Sequence, residues 1–191
     1  MKKVYNTISS LAEHMSYARV MTALVASIAI LVGGLLSANT YYELSRYPVR
    51  LFAGQLAFSP EKVAEWYQFL VANDTLNIYI KTQYIDFIFI FGLMATIFFT
   101  QLLIVKLNTK GSRWYTFAVG MCFWGPLLAT ADIWENLTTL TMLSNPTGFT
   151  PTLAYIASSF TVWKLSWSLI GTTLVVVQLI SLSYRKIMNI K

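Results

Sequence analysis

Charge is what this sequence most lacks. Asp, Glu, Lys and Arg make up only 12% of its 191 residues, against about 25% in an average soluble domain. Hydrophobic residues reach 56% and the mean hydropathy is +0.57. Such a composition excludes a disordered chain, a nucleic-acid-binding domain and an ordinary cytosolic enzyme. It is that of an integral membrane protein whose first partner is the lipid bilayer, with no nucleic-acid partner. Cysteine and histidine are almost missing too. Cys122 and His14 are the only ones, so no disulfide framework, CxxC pair or thiolate metal site can form within one chain. The lone His14, remote from the apolar runs, also excludes His-rich metal sites and Ser-His-Asp or Cys-His schemes near a membrane core.

What is present is a set of four long apolar runs, at about 20–38, 85–105, 114–133 and 153–184. Each approaches or exceeds the ~20 residues that cross a bilayer as a helix. The expected fold is all-α: a polytopic membrane protein, one membrane domain over 1–191, built as a four-helix transmembrane bundle. Lys2 and Lys3 precede the first run as they would in a secretory signal. About sixteen mostly polar residues separate them from it, however, and the run has full spanning length, so it is read as a retained helix.

Orientation follows from Lys and Arg. Lys2, Lys3, Arg19, Lys106, Lys110, Arg113, Arg185, Lys186 and Lys191 fall on one side, close to helix ends. Arg46, Arg50, Lys62 and Lys81 fall on the other. The richer side is expected to be cytoplasmic and to hold both termini, in what is read as a bacterial cytoplasmic membrane.

The outer loop, 40–83, carries its own helix signal. Ser59-Pro60-Glu61 combines a capping hydroxyl, a proline suited to the first helical position and an acid near the positive helix end. Val63, Trp66, Tyr67 and Leu70 follow at i, i+3, i+4, i+7, which makes one face apolar, and Asn73-Asp74 marks the stop. This short amphipathic helix either covers the top of the bundle or lies in the membrane interface, or it acts as a lid or docking surface.

The polar residues of the runs converge in depth. Asp86, Asp132, Glu135 and Lys164 each lie about 28–32 Å from the basic residues at the inner ends, at 1.5 Å per residue. Asp132, Glu135 and Asn136 share a helical face by i, i+3, i+4 spacing, and Lys164, Ser168 and Gly171 share another. Two readings follow. These are boundary charges pairing with one another where charge is cheap, or they line a polar pocket open to the outside. As a site, the ligand- or ion-binding candidates are Asp86, Asp132, Glu135, Asn136 and Lys164. Three carboxylates and an amide oxygen suit Ca²⁺ or Mg²⁺, although Lys164 would compete with a metal. No other cofactor is implied. No nucleophile–base pairing is legible, so catalytic residues are not assigned. Gly33-Gly34, Gly92 and Gly171 suit close helix packing, and Gly125-Pro126 predicts a kink in the third helix.

Tyr84-Ile85-Asp86-Phe87 and Ala131-Asp132-Ile133-Trp134-Glu135-Asn136-Leu137 resemble a loose group of uncharacterised four-helix bacterial membrane proteins. Those carry an early Asp in the second helix and Asp-x-x-Glu-Asn at the end of the third. The resemblance spans roughly 41–140, with Gly92 and Leu93 standing where many members have proline–aromatic pairs. It implies a four-helix fold in which the acidic residues matter, and lends no activity. The leading functional expectation is a non-enzymatic subunit that binds a ligand, a cation or a partner through an outward acidic cluster. The alternatives are a transporter or channel subunit for a cation or proton, and a membrane-embedded enzyme acting on lipid. A homo-oligomer or a larger membrane complex is compatible with each. A reporter active only outside the cytoplasm should give signal when fused after Asp74 and none when fused after Lys191. Signal at the second position would refute the even-span topology.

Overall fold

The computed structural model describes residues 2–188. Lys191, counted above among the basic residues of the tail, lies outside them. Eight helices follow in order: α1 (Lys2–His14), α2 (Tyr17–Ser45), α3 (Leu51–Gln55), α4 (Pro60–Ala72), α5 (Leu76–Leu107), α6 (Arg113–Met121), α7 (Trp124–Leu143) and α8 (Pro151–Ile187). The described residues form no strand. Four segments, α2, α5, α6 with α7, and α8, are long and apolar enough to cross a membrane, and the four-helix architecture expected from the sequence is observed. Each helix overruns its apolar stretch. α2 continues to Ser45 and α5 starts at Leu76, so the 40–83 loop is shorter than hydropathy alone implied. Helices do not end where hydrophobicity ends; they end where caps and breakers lie.

Those caps are legible residue by residue. Ser16 accepts a hydrogen bond from the Arg19 backbone N–H and Ser112 from that of Tyr115, satisfying donors that the first helical turn leaves free. Ser59 does the same for Lys62, at 3.4 Å. Glu61 is held below the usual carboxylate range by its own backbone N–H and by the Ser59 hydroxyl. Arg46 closes α2 in the left-handed region at φ 55, and Asp74 closes the turn after α4 at φ 56.

The third span is broken, and proline explains where. α6 stops at Met121 and α7 begins at Trp124. Pro126 has no N–H to give to the Cys122 carbonyl four residues earlier, and its ring crowds that carbonyl. The interruption therefore falls at Cys122-Phe123, one turn before the Gly125-Pro126 pair.

Two clusters hold the ends. At the end where α1 lies, Ile8 and Ala12 pack with Val20, Leu102, Val105 and Val119. α1 was not anticipated, because thirteen mixed residues without a long apolar run carry little signal. It is fixed by Lys106, whose Nζ donates to the Ala12 and Met15 carbonyls at 2.6 Å each, a cation on a helix C-terminus. At the opposite end, α4 buries Val63, Tyr67 and Leu70 against Tyr79, Met142 and Ala154, while Glu61, Lys62 and Glu65 are exposed. The amphipathic helix thus covers the bundle end. Tyr47 stacks on Tyr79 with ring centroids 4.5 Å apart, and burial pushes the Tyr47 and Tyr67 hydroxyls well above their usual range.

α2 and α5 form the closest pair. A Cβ on Gly34 would lie 2.6 Å from the Phe89 backbone nitrogen, and one on Gly92 would lie 2.5 Å from that of Leu31, whereas Gly33 has nothing within 4 Å. Backbone cannot yield as a side chain can, so overpacking here costs about 1–3 kcal/mol or more. Gly34→Ala and Gly92→Ala should each lower the unfolding temperature in detergent, and Gly33→Ala should leave it near wild type. Equal effects at all three would refute the assigned contact.

Candidate functional site

The polar cluster sits one to two turns inside the α4 end, where α5, α7 and α8 meet. α7 supplies Asp132, Glu135 and Asn136 from one face, as their spacing predicted, and each is only 2% exposed. α8 supplies Lys164, whose Nζ lies 2.8 Å from Asp132 Oδ1 and 2.8 Å from Glu135 Oε2. The approach to Asp132 is a hydrogen bond. That to Glu135 is a close ion contact off the hydrogen-bond direction, which leaves Oε2 without a hydrogen bond. α5 supplies Asp86, whose Oδ2 accepts from the Asn136 side-chain amide at 2.7 Å.

All five candidates therefore meet, but they divide between two spaces. Asp86, Asp132, Asn136 and Lys164 line a cavity of about 240 Å³ whose wall is otherwise mostly apolar. Glu135 borders a smaller void of about 30 Å³ beneath the tyrosines of the α4 end. Gln55, from the short α3, reaches both. Its side-chain oxygen is buried and accepts no hydrogen bond. Ser168, one turn along α8 from Lys164, also lines the larger cavity. Gly171 on the same face makes room for the Trp124 indole, whose Nε1 donates to the Trp167 carbonyl at 3.2 Å.

The charges do not balance inside this wall. Lys164 is the one base lining the cavity, and it serves Asp132 and Glu135. Asp86 has a neutral amide for its partner. Among the described residues no three His, Cys, Asp or Glu side chains are placed to hold a metal ion, and the Lys164 ammonium fills the space between two of the three carboxylates. The cavity can accept a hydrogen-bond donor or a positive charge at Asp86 and Gln55, and an apolar body against Leu35, Phe89 and Leu93.

Sequence reasoning weighed charges and so missed neutral amides. Gln55 stands in a loop region with no periodic signal. Gln101 and Gln178 are 0% and 2% exposed inside α5 and α8, and neither side chain has a hydrogen-bond partner. An amide within an apolar run was a usable signal, because an unsatisfied polar group in hydrocarbon is costly.

Four apolar spans around a buried ion cluster define a polytopic α-helical membrane protein with a polar cavity near one end of its bundle. In comparisons with known proteins the chain matches no family model, no curated protein and no solved structure.

Removing Lys164 strands two buried carboxylates, and breaking a buried pair from one side costs about 3–5 kcal/mol. Lys164→Met should therefore destabilise the protein strongly in a detergent thermal melt, and Glu135→Gln mildly. Lys164→Met combined with Glu135→Gln should be more stable than the sum of the two losses, because the neutral partner no longer needs the cation. Strict additivity would show that Lys164 and Glu135 do not depend on one another.

Proposed function

We propose that this protein is a non-enzymatic subunit of a bacterial cytoplasmic membrane, with both termini in the cytoplasm, that binds a cationic ligand in a pocket open to the outside. The observation that carries this reading is Asp86. It lines the cavity with only the Asn136 amide as partner, while the nearest ammonium is committed elsewhere. A carboxylate in a low-dielectric wall favours a positive guest strongly, since charge interactions there are far less screened than in water. The unsatisfied Gln55 oxygen gives the guest a second acceptor. The α4 helix over this end leaves the guest to enter past α3 or between helices.

A second reading, passage of a proton or cation, is favoured by the two buried amides. The Asn108 side chain accepts from Arg185 at 2.6 Å. Gln101 and Gln178 each lie seven residues before that pair, nearly two helical turns, on helices that run the same way. Each therefore lies on the helix face that meets at the Asn108–Arg185 pair, between the cluster and the opposite end. Flux through proteoliposomes that falls in Gln101→Leu would favour this second reading over simple binding.

The first reading predicts that methylammonium chloride raises the unfolding temperature of the wild-type protein in detergent in a saturable way, relative to equal ionic strength of sodium chloride. A ligand at a hundredfold excess over its Kd contributes about 2.7 kcal/mol. Asp86→Asn, which keeps an acceptor for Asn136, should fold and lose the response. An unchanged response in Asp86→Asn would refute the site.

A further inference from the structure

Beyond its apolar floor the polar cavity has a neighbour. Leu93, Leu128 and Ser168 line it and equally line a second cavity, of about 250 Å³, that continues along α5, α7 and α8. Its walls are Thr96, Ile97, Trp124, Thr172, Val175 and Val176, so it is largely apolar. The gap has a structural cause. α5 and α8 touch sparsely, and the Trp124 ring lies against Gly171 as filler between the helices. The groove opens sideways on the apolar exterior, where Val176 is 48% exposed. From Asp86 to Thr100 is about 21 Å at 1.5 Å per residue, the reach of a long alkyl chain. A polar head site with one uncompensated carboxylate thus stands at the top of a lipid-accessible apolar channel.

We infer that the ligand is an ammonium-bearing amphiphile, its cationic head at Asp86 and Gln55 and its aliphatic tail in the groove between α5 and α8. This rests on the ligand-binding reading above and extends it to the ligand's chemical class. Charge complementarity selects the head: an anionic or neutral head would leave Asp86 uncompensated. The tail contributes little from contact alone, because bilayer chains are as apolar as the groove. Its effect is to confine the head to the membrane at the depth of Asp86, which raises the effective concentration. The ammonium can come from a free long-chain amine or from an aminophospholipid headgroup.

The test uses the full chain in nanodiscs of digalactosyldiacylglycerol, which carries no ammonium group, and dodecylamine with a diazirine at the end of its chain. Irradiation should label peptides spanning 96–100 and 172–176. Unlabelled dodecylamine should suppress labelling at about tenfold or more lower concentration than methylamine, a difference of 1.4 kcal/mol per decade, and dodecanol should not suppress it. Asp86→Asn should abolish specific labelling, and Ser168→Phe, which narrows the junction of the two cavities, should reduce it. If methylamine competes as well as dodecylamine, the tail is not read; the inference then falls while the cationic pocket stands. If dodecanol competes as well as dodecylamine, or labelling spreads evenly over the apolar exterior, the cationic pocket itself falls. The wild-type competition decides the matter even if a variant fails to fold. Doping the nanodiscs with phosphatidylethanolamine separates the two sources: suppression identifies the bilayer lipid, persistence a free amine, and both sustain the inference.

Discussion

A primary ammonium on an apolar helix must meet anions at short range or leave the hydrocarbon altogether, and the structure is organised around that demand at Lys164. Its Nζ touches Asp132 and Glu135 at the same 2.8 Å, so α8 is tied to α7 at one depth and one rotation. Asn136 lies on the same face of α7, and its amide then reaches Asp86 on α5. Three helices are thereby registered by one network. Removing a member leaves the others uncompensated in a low-dielectric surrounding.

Small residues and a proline set the spaces around that network. Gly34 and Gly92 bring α2 and α5 into backbone contact, while nearer the α4 end Ala38, Asn39 and Tyr42 of α2 line the polar cavity together with α5. The third span also comes close to α5, since a Cβ on Gly125 would lie 2.7 Å from the Met94 carbonyl oxygen, and Pro126 interrupts it one turn earlier, at Cys122. Unfilled volume remains where α5, α7 and α8 meet, because α5 and α8 touch sparsely. Leu93, Leu128 and Ser168 wall both this groove and the polar cavity at Asp86. Nearer the opposite end, Gln101 and Gln178 are buried and unpartnered.

The tyrosine-rich cover adds the last constraint. α4 lays Val63, Tyr67 and Leu70 over the bundle end, and the stacked Tyr47 and Tyr79 lie beneath it. Glu135 is enclosed under these rings rather than in the main cavity. One carboxylate of the cluster thereby acts on Lys164 alone, while Asp86 and Asp132 face the space a guest can occupy.

The four spans, the amphipathic α4 and the shared depth of Asp86, Asp132, Glu135, Asn136 and Lys164 were all legible in the amino-acid order. Hydropathy, the helical period and the rise per residue are local quantities, and they act before any helix has found its neighbour. Even the break in the third span was written in Gly125-Pro126, displaced by one turn because a proline disturbs the carbonyl four residues before it. Which carboxylates Lys164 would pair with, that Glu135 would turn away from the cavity, that Gln55 would come in from the short α3, and that α1 would be fastened by Lys106 were decided only by tertiary packing. Each depends on distances between helices and on their rotation, and those follow from glycine contacts and side-chain volumes summed over several elements at once. No single stretch of sequence contains that sum.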